Sequence, residues 1–272
     1  MGGTCSTNDC CNNPGMDRFQ SPSGNFNEIN NRLAAINVKE YEMVGFEDGS
    51  TYQGEFRPGT KIREGFGVQS WADRSQYTGQ WRDGKANGYG RLLHADGDVY
   101  EGEWLNDTAS GKGVYIQVNG TRYEGDWFRD KQHGYGVEVW TDGSKFEGIY
   151  RGGIKQGQGK MTFPDKATYN GDFENDNING YGIYIWPEGR VYQGQWLNNK
   201  MDGHGTMKWA DGKCYTGGFE NDKKSGQGIY TWADGQVFEG QWVFNKQNGE
   251  GYYTDALGNR SKGYWEKGKR IR

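Results

Sequence analysis

One frame recurs through this chain and constrains its fold more than anything else in it: an aromatic residue, any residue, glycine, any residue, a second aromatic. Copies begin at Tyr52, Tyr77, Tyr100, Tyr123, Phe146, Tyr169, Tyr192, Tyr215 and Phe238, with a degenerate one at Ser261; the first interval is 25 residues and the others are 23. A Gly-x-Gly pair follows inside each copy, from Gly65 and Gly67 through to Gly249 and Gly251. A fixed period of this size means stacked supersecondary units, none of which can bury its apolar face alone.

In Tyr100-Glu101-Gly102-Glu103-Trp104 the rings and the glycine alternate with the glutamates. Side chains two apart share a face of a strand, so this is a half-buried antiparallel strand. The second strand of a unit, such as Gly134-Tyr135-Gly136-Val137-Glu138-Val139-Trp140, puts its glycines on one face with Glu138 and Trp140. Glycine weakens a strand, so its recurrence implies close approach of a ring or backbone, with the rings of one hairpin lying over the glycines of its neighbour. Between units stand Asp96-Gly97, Asn119-Gly120, Asp142-Gly143, Glu188-Gly189, Asp211-Gly212 and Asp234-Gly235, which read as tight turns with two positive φ angles. Asp73-Arg74 and Asp165-Lys166 lack the glycine, and looser turns are expected there.

YTGQW at 77–81 followed by GYG at 88–90 resembles the MORN (membrane occupation and recognition nexus) repeat, and the resemblance covers roughly residues 46–265. It implies an all-β fold, an elongated single-layer antiparallel sheet of consecutive hairpins with a 23-residue period, serving as a scaffold or binding surface. Phe146, Phe238 and the final SKGYW depart from the tyrosine start. Composition agrees: 47 of 272 residues are glycine, 15% are aromatic and only 33% hydrophobic, too few aliphatics for an ordinary core of this length.

Four segments result: a polar tail over 1–20, a linker with a short capping helix over 21–45, the array over 46–265 and a basic tail over 266–272. The tail begins Met-Gly-x-x-x-Ser, a pattern for N-myristoylation at Gly2, and Cys5, Cys10 and Cys11 behind it are candidates for palmitoylation, the second signal that stable anchoring needs. Phe26, Ile29, Leu33 and Ile36 recur at helical steps, so 27–39 reads as an amphipathic helix covering the open edge of the first hairpin. No apolar run in the sequence is long enough to span a membrane as a helix.

No catalytic set emerges from three scattered histidines, and no metal ligand spacing or cofactor motif is present. The Gly-x-Gly pairs lack the helix and lysine of a phosphate loop. The net charge is −4, and Glu55, Glu101, Glu103, Glu124, Asp126, Glu147, Asp172 and Glu239 share the polar face. That face opposes nucleic acid and anionic lipid headgroups. The ring-bearing face carries Tyr115, Glu138 with Trp140, Met161 with Phe163, Tyr184 with Trp186, Met207 with Trp209, and Tyr230 with Trp232. Rows of rings and methionines fit a groove for an amphipathic helix of a protein partner. Two functions follow: a non-enzymatic scaffold held on the cytoplasmic face of a membrane by N-terminal acyl chains, or a structural subunit of cilium axoneme or other cytoskeleton, as in MORN proteins of radial spoke heads.

Overall fold

The computed structural model describes residues 40–272. Gly2, Cys5, Cys10, Cys11 and the helix expected over 27–39 lie outside the described residues. The rest is one antiparallel sheet of 21 strands, from Met43–Gly45 to Lys269–Arg270, without a helix of α type. Each strand pairs with the next in the chain, so the sheet is a single meander of hairpins. Met43–Gly45 pairs with Thr51–Phe56, and Lys269–Arg270 pairs with Arg260–Glu266. Both outermost strands are very short, which leaves little edge to template aggregation.

Register places one glycine of every long strand opposite a glycine of the next. Gly54 faces Gly67, Gly67 faces Gly79, and the row continues without a break to Gly251 and Gly263. The first ring of each motif lies down on this row. A Cβ added at Gly67 would come 2.3 Å from the Tyr52 hydroxyl, and one added at Gly54 would come 2.4 Å from Gly67 Cα. The ring therefore covers the second strand of its own hairpin, not that of the neighbour. Seven of these tyrosines donate their hydroxyl to the backbone carbonyl three residues on, as Tyr77 does to Gln80 at 3.0 Å. In the same face the second ring, where it is tryptophan in the repeats up to Trp242, reaches back to a glycine carbonyl of the previous repeat, Trp104 Nε1 to Gly90 at 3.0 Å and Trp81 to Gly67 at 3.2 Å.

The rings thereby form a continuous zipper from Phe56 to Trp265. Each first ring meets the second ring of its own repeat and that of the next, edge to face, with centroids 4.8 to 5.6 Å apart. Such pairs are worth about 0.5–1.5 kcal/mol each beyond the area they bury. Phe146 and Phe238 keep the ring contacts but have no hydroxyl to donate.

The two glycines of Gly-x-Gly do different work. The first is left-handed in all nine copies, for example φ 84° at Gly88 and 96° at Gly203. It sits in a β-bulge: Gly79 faces Gly90 and Trp81 faces Ala86, so one residue of the first strand opposes three of the second. The bulge frees a backbone N–H, and the side chain before the second ring accepts it. Glu55 takes Phe66 N–H at 3.1 Å, Gln80 takes Tyr89 N–H at 2.7 Å, and Asp172 takes Tyr181 N–H at 2.9 Å. Part of the acidic face is thus structural, and Asp126, Glu124, Glu147 and Glu239 are also paired with Lys112, Arg122, Lys145 and Arg260.

The turns are the reverse of the expectation. The two-residue turns with two positive φ angles lie inside the repeats from Tyr77 onward, at pairs such as Asn106-Asp107 (51° and 68°) and Asn198-Asn199 (49° and 67°), while the first repeat is closed by the longer loop 57–62 with Gly59 alone at positive φ. Their second residue staples adjacent repeats: Asp130 N–H donates to Ala109 O at 3.0 Å while Asp130 Oδ1 accepts Ala109 N–H at 2.7 Å. The Asp-Gly turns between repeats are three-residue loops with a single left-handed residue, closed by Gly97 N–H to His94 O (3.0 Å) and His94 N–H to Asp98 O (2.8 Å). The aspartate instead accepts the N–H two residues on, Asp96 Oδ1 from Asp98. Arg74 (φ 76°) and Lys166 (φ 75°) adopt the same left-handed position with the same closing bonds, so these turns are not looser. The hydrogen bonds of the loop outweigh the side-chain clash.

Two measurements test this account. Gly182→Ala puts a methyl 2.3 Å from the Tyr169 hydroxyl and is expected to cost about 1–3 kcal/mol in chemical denaturation, while Lys166→Gly is expected to gain about 1 kcal/mol. Burial pushes the hydroxyls of Tyr77, Tyr100 and Tyr150 far above the ordinary tyrosine value of 10.0. The folded chain then holds these protons more tightly than the unfolded chain, so their contribution is whole below pH about 10 and is lost as pH climbs from there towards the folded values. Tyrosinate absorbance and loss of the sheet's circular dichroism are expected together; rings titrating one by one at pH about 10 with the sheet intact would contradict it.

Candidate partner-binding face

Residues in register across a sheet share a face, so pairing decides what stands beside the buried zipper. Tyr100 faces Tyr115, Tyr123 faces Glu138, Phe146 faces Met161, Tyr169 faces Tyr184, Tyr192 faces Met207 and Tyr215 faces Tyr230. This row alternates a buried motif ring with a second-strand side chain. Tyr115, Met161, Tyr184 and Tyr230 are half-buried; Met207 is 4% exposed and belongs to the core. Glu138 is engaged, accepting the Tyr150 hydroxyl at 2.8 Å with Lys155 Nζ at 3.6 Å. Tyr253 extends the row by one repeat, opposite Phe238.

A second row runs along the turns. Trp140, Phe163, Trp186, Trp209 and Trp232 each stand immediately before a three-residue loop and close it, Trp140 O accepting from Gly143 and Trp140 N–H donating to Ser144 O, both at 3.0 Å. All five are half-buried against the core rings. Tyr184 and Trp186 touch at 4.4 Å between centroids, Phe163 and Tyr184 at 5.4 Å, and Tyr230 and Trp232 at 4.8 Å, so the two rows join into one surface. The indoles of Trp81, Trp104, Trp127, Trp196 and Trp242 donate to glycine carbonyls.

Cations complete the face, and the sequence reading did not single them out. The position paired with the second motif ring is Arg63, Lys155, Lys224 or Arg270 in four repeats and Ala86, Ala109, Gln132, Ile178, Met201 or Gln247 in the others. Lys155 lies over Trp140, Phe146 and Tyr150 and is paired with Glu138 and Asp176. Lys224 lies among Trp209, Tyr215, Tyr230 and Trp242. Burial pushes its amine down to about 8, while the four ring faces favour the ammonium. Arg190 stacks on Trp186 at 4.0 Å. A lysine standing opposite the second motif ring where that ring is not tryptophan, Lys155 opposite Tyr150 and Lys224 opposite Phe219, was the available signal. Near Ala109, where the same position is a methyl group, the face opens into a cleft of about 620 Å3. Among the described residues no group of three or more His, Cys, Asp or Glu is placed to hold a metal ion.

A family model described as MORN repeat matches nine consecutive segments, 61–76, 77–99, 100–122, 123–145, 146–168, 169–189, 192–214, 215–237 and 238–260. No curated protein matches the chain. Among solved structures, the TCP10 domain of Danio rerio CPAP in complex with a peptide of Danio rerio STIL is 15% identical, covering 81% of this chain and 96% of that one, with a TM-score of 0.40. The SAS-4 (dCPAP) TCP domain of Drosophila Melanogaster, in complex with a proline rich motif of Ana2, is 13% identical, covering 66% and 90%, with a TM-score of 0.35. With scores of this size nothing about this chain's partners follows from either.

Proposed function

The chain belongs to the MORN repeat family, and from that premise we propose that it is a non-enzymatic scaffold that holds a protein segment along its ring-bearing face and is tethered to a membrane through an acylated N-terminus. The observation that carries the binding half is the double row of half-buried rings from Tyr115 to Trp232, which a single-layer sheet has no second layer to cover. Rigid aromatics beside Met161 suit an amphipathic helix, the rings supplying area and the thioether adapting to its shape.

The tether rests on Gly2, Ser6 and the cysteines at 5, 10 and 11. One myristoyl chain gives reversible binding of about 10⁴ M⁻¹, so residence on the membrane requires a second chain on one of those thiols. The sheet does not replace it, because its net charge does not draw it to anionic lipid.

Two experiments separate these halves. Changing Trp186 and Trp209 together to Ser is expected to weaken binding of cross-linked cellular partners about thirtyfold, a loss of about 2 kcal/mol, with a native circular dichroism spectrum. An unchanged partner set would assign those rings to structure alone. Gly2→Ala is expected to release the protein from the membrane fraction. An unmodified or acetylated N-terminal peptide in mass spectrometry of native material would instead favour the cytoskeletal role.

A further inference from the structure

The repeats provide an internal comparison. Lys224 pairs with Phe219, and five repeats earlier Ala109 pairs with Trp104 in the same place. Around Lys224 Nζ the rings of Trp209, Tyr215, Tyr230 and Trp242 lie at 5.0, 5.1, 4.3 and 5.0 Å. The corresponding residues around Ala109 are His94, Tyr100, Tyr115 and Trp127.

Their arrangement is the same without the lysine. Trp209 and Tyr230 are 5.8 Å apart, His94 and Tyr115 6.2 Å; Tyr215 and Trp242 5.3 Å, Tyr100 and Trp127 5.1 Å; Tyr230 and Trp242 5.9 Å, Tyr115 and Trp127 6.0 Å. All four rings line the cleft of about 620 Å3. Trp242, beneath Lys224, is 4% exposed, whereas Trp127 is half-buried. Among the described residues no cation of the chain lies over His94, Tyr100, Tyr115 or Trp127, the nearest pairing being Arg129 on Phe128.

We propose that the cleft beside Ala109 is a binding site for an alkylammonium group, a lysine side chain of a partner protein, held by His94, Tyr100, Tyr115 and Trp127 as the chain holds its own Lys224. The charged lining agrees. Asp107 and Asp130 each spend one oxygen on a backbone N–H, Glu138 is shared with Lys155, and Lys131 is exposed. Ring faces and carboxylates both attract a cation, and a partly desolvated site strengthens the attraction. The same sequence position also distinguishes ammonium from guanidinium. Where it is arginine, Arg63 and Arg270 each lie over one ring and donate to carbonyls, Gly84 O and Lys262 O; where it is lysine, the ammonium sits among three or four rings. The site shares a face with the proposed groove but does not depend on the tryptophan row being a binding surface.

The test uses the full chain and four probes, N-acetyl-lysine methylamide with its amine unmodified, dimethylated or trimethylated, and phosphocholine, followed by tryptophan fluorescence and calorimetry. One lysine-type probe is expected to bind per chain. Ala109→Lys, which installs the residue the chain already uses five repeats on, is expected to weaken that binding about tenfold or more with the sheet's spectrum unchanged. Lys224→Ala, an alanine the sister repeats already carry, is expected to raise the count from one site to two. Wild-type chain that binds no lysine-type probe, Ala109→Lys that binds as wild type does, or phosphocholine bound in place of every lysine probe would each overturn the proposal.

Discussion

The row of glycines is the constraint on which the rest of the structure depends. Packing a tyrosine ring flat onto a β-sheet requires that the strands beneath it carry no Cβ, and it requires this at two adjacent strands at once. Gly54 and Gly67 satisfy it for Tyr52, Gly171 and Gly182 for Tyr169. Once the ring lies down, its hydroxyl reaches the backbone of its own strand and its edges meet two neighbouring rings. A sheet with no second layer thereby acquires a core made of its own side chains lying across it. Glycine's conformational cost in a strand, roughly 0.5–1 kcal/mol relative to alanine, is set against the burial of a whole aromatic residue.

The zipper also explains which substitutions the repeats tolerate. Tyr150 and Phe173 stand where other repeats have tryptophan, and the ring contacts persist at 5.2 and 5.3 Å while the indole bond to a glycine carbonyl is lost. Tyr150 finds Glu138 instead. Each ring touches only its own repeat and those immediately beside it, so stability accumulates by nearest neighbours and a change in one repeat remains local.

Period, hairpin order and the ring-bearing face were legible in the sequence because they depend on spacing of residues two apart, which a strand converts directly into geometry. Three features were not. The bulge at the first glycine of each pair escaped a reading that advances one residue per step, since Gly88 and Gly90 look equivalent until the register shift separates them. The turns were assigned to the wrong loops: Asp-Gly is the familiar signal for a two-residue turn, yet Arg129-Asp130 adopts that turn without glycine because Asp130 is stapled to Ala109. Of the candidate face, the rows of rings were legible, but the burial of Met207 and the capture of Glu138 by Lys155 and Tyr150 were not. They depend on three strands meeting, and no periodicity encodes that.

One position in the repeat is free of these demands. The residue opposite the second motif ring ranges from Ala109 through Ile178 and Met201 to Lys224 on an unchanged backbone register. It neither covers a glycine nor completes a turn, so its side chain can change without disturbing the zipper. What it changes is the surface. A lysine there fills the space among the rings with a cation, a methionine fills it with an apolar stem, and an alanine leaves the ring faces open to whatever approaches. Because the array is built by nearest neighbours, such choices can be made repeat by repeat, and the ring-bearing face becomes a linear series of sites with separate chemistry on one continuous support. The separation between residues that hold the sheet and residues that vary on it allows a fold this regular to be selective.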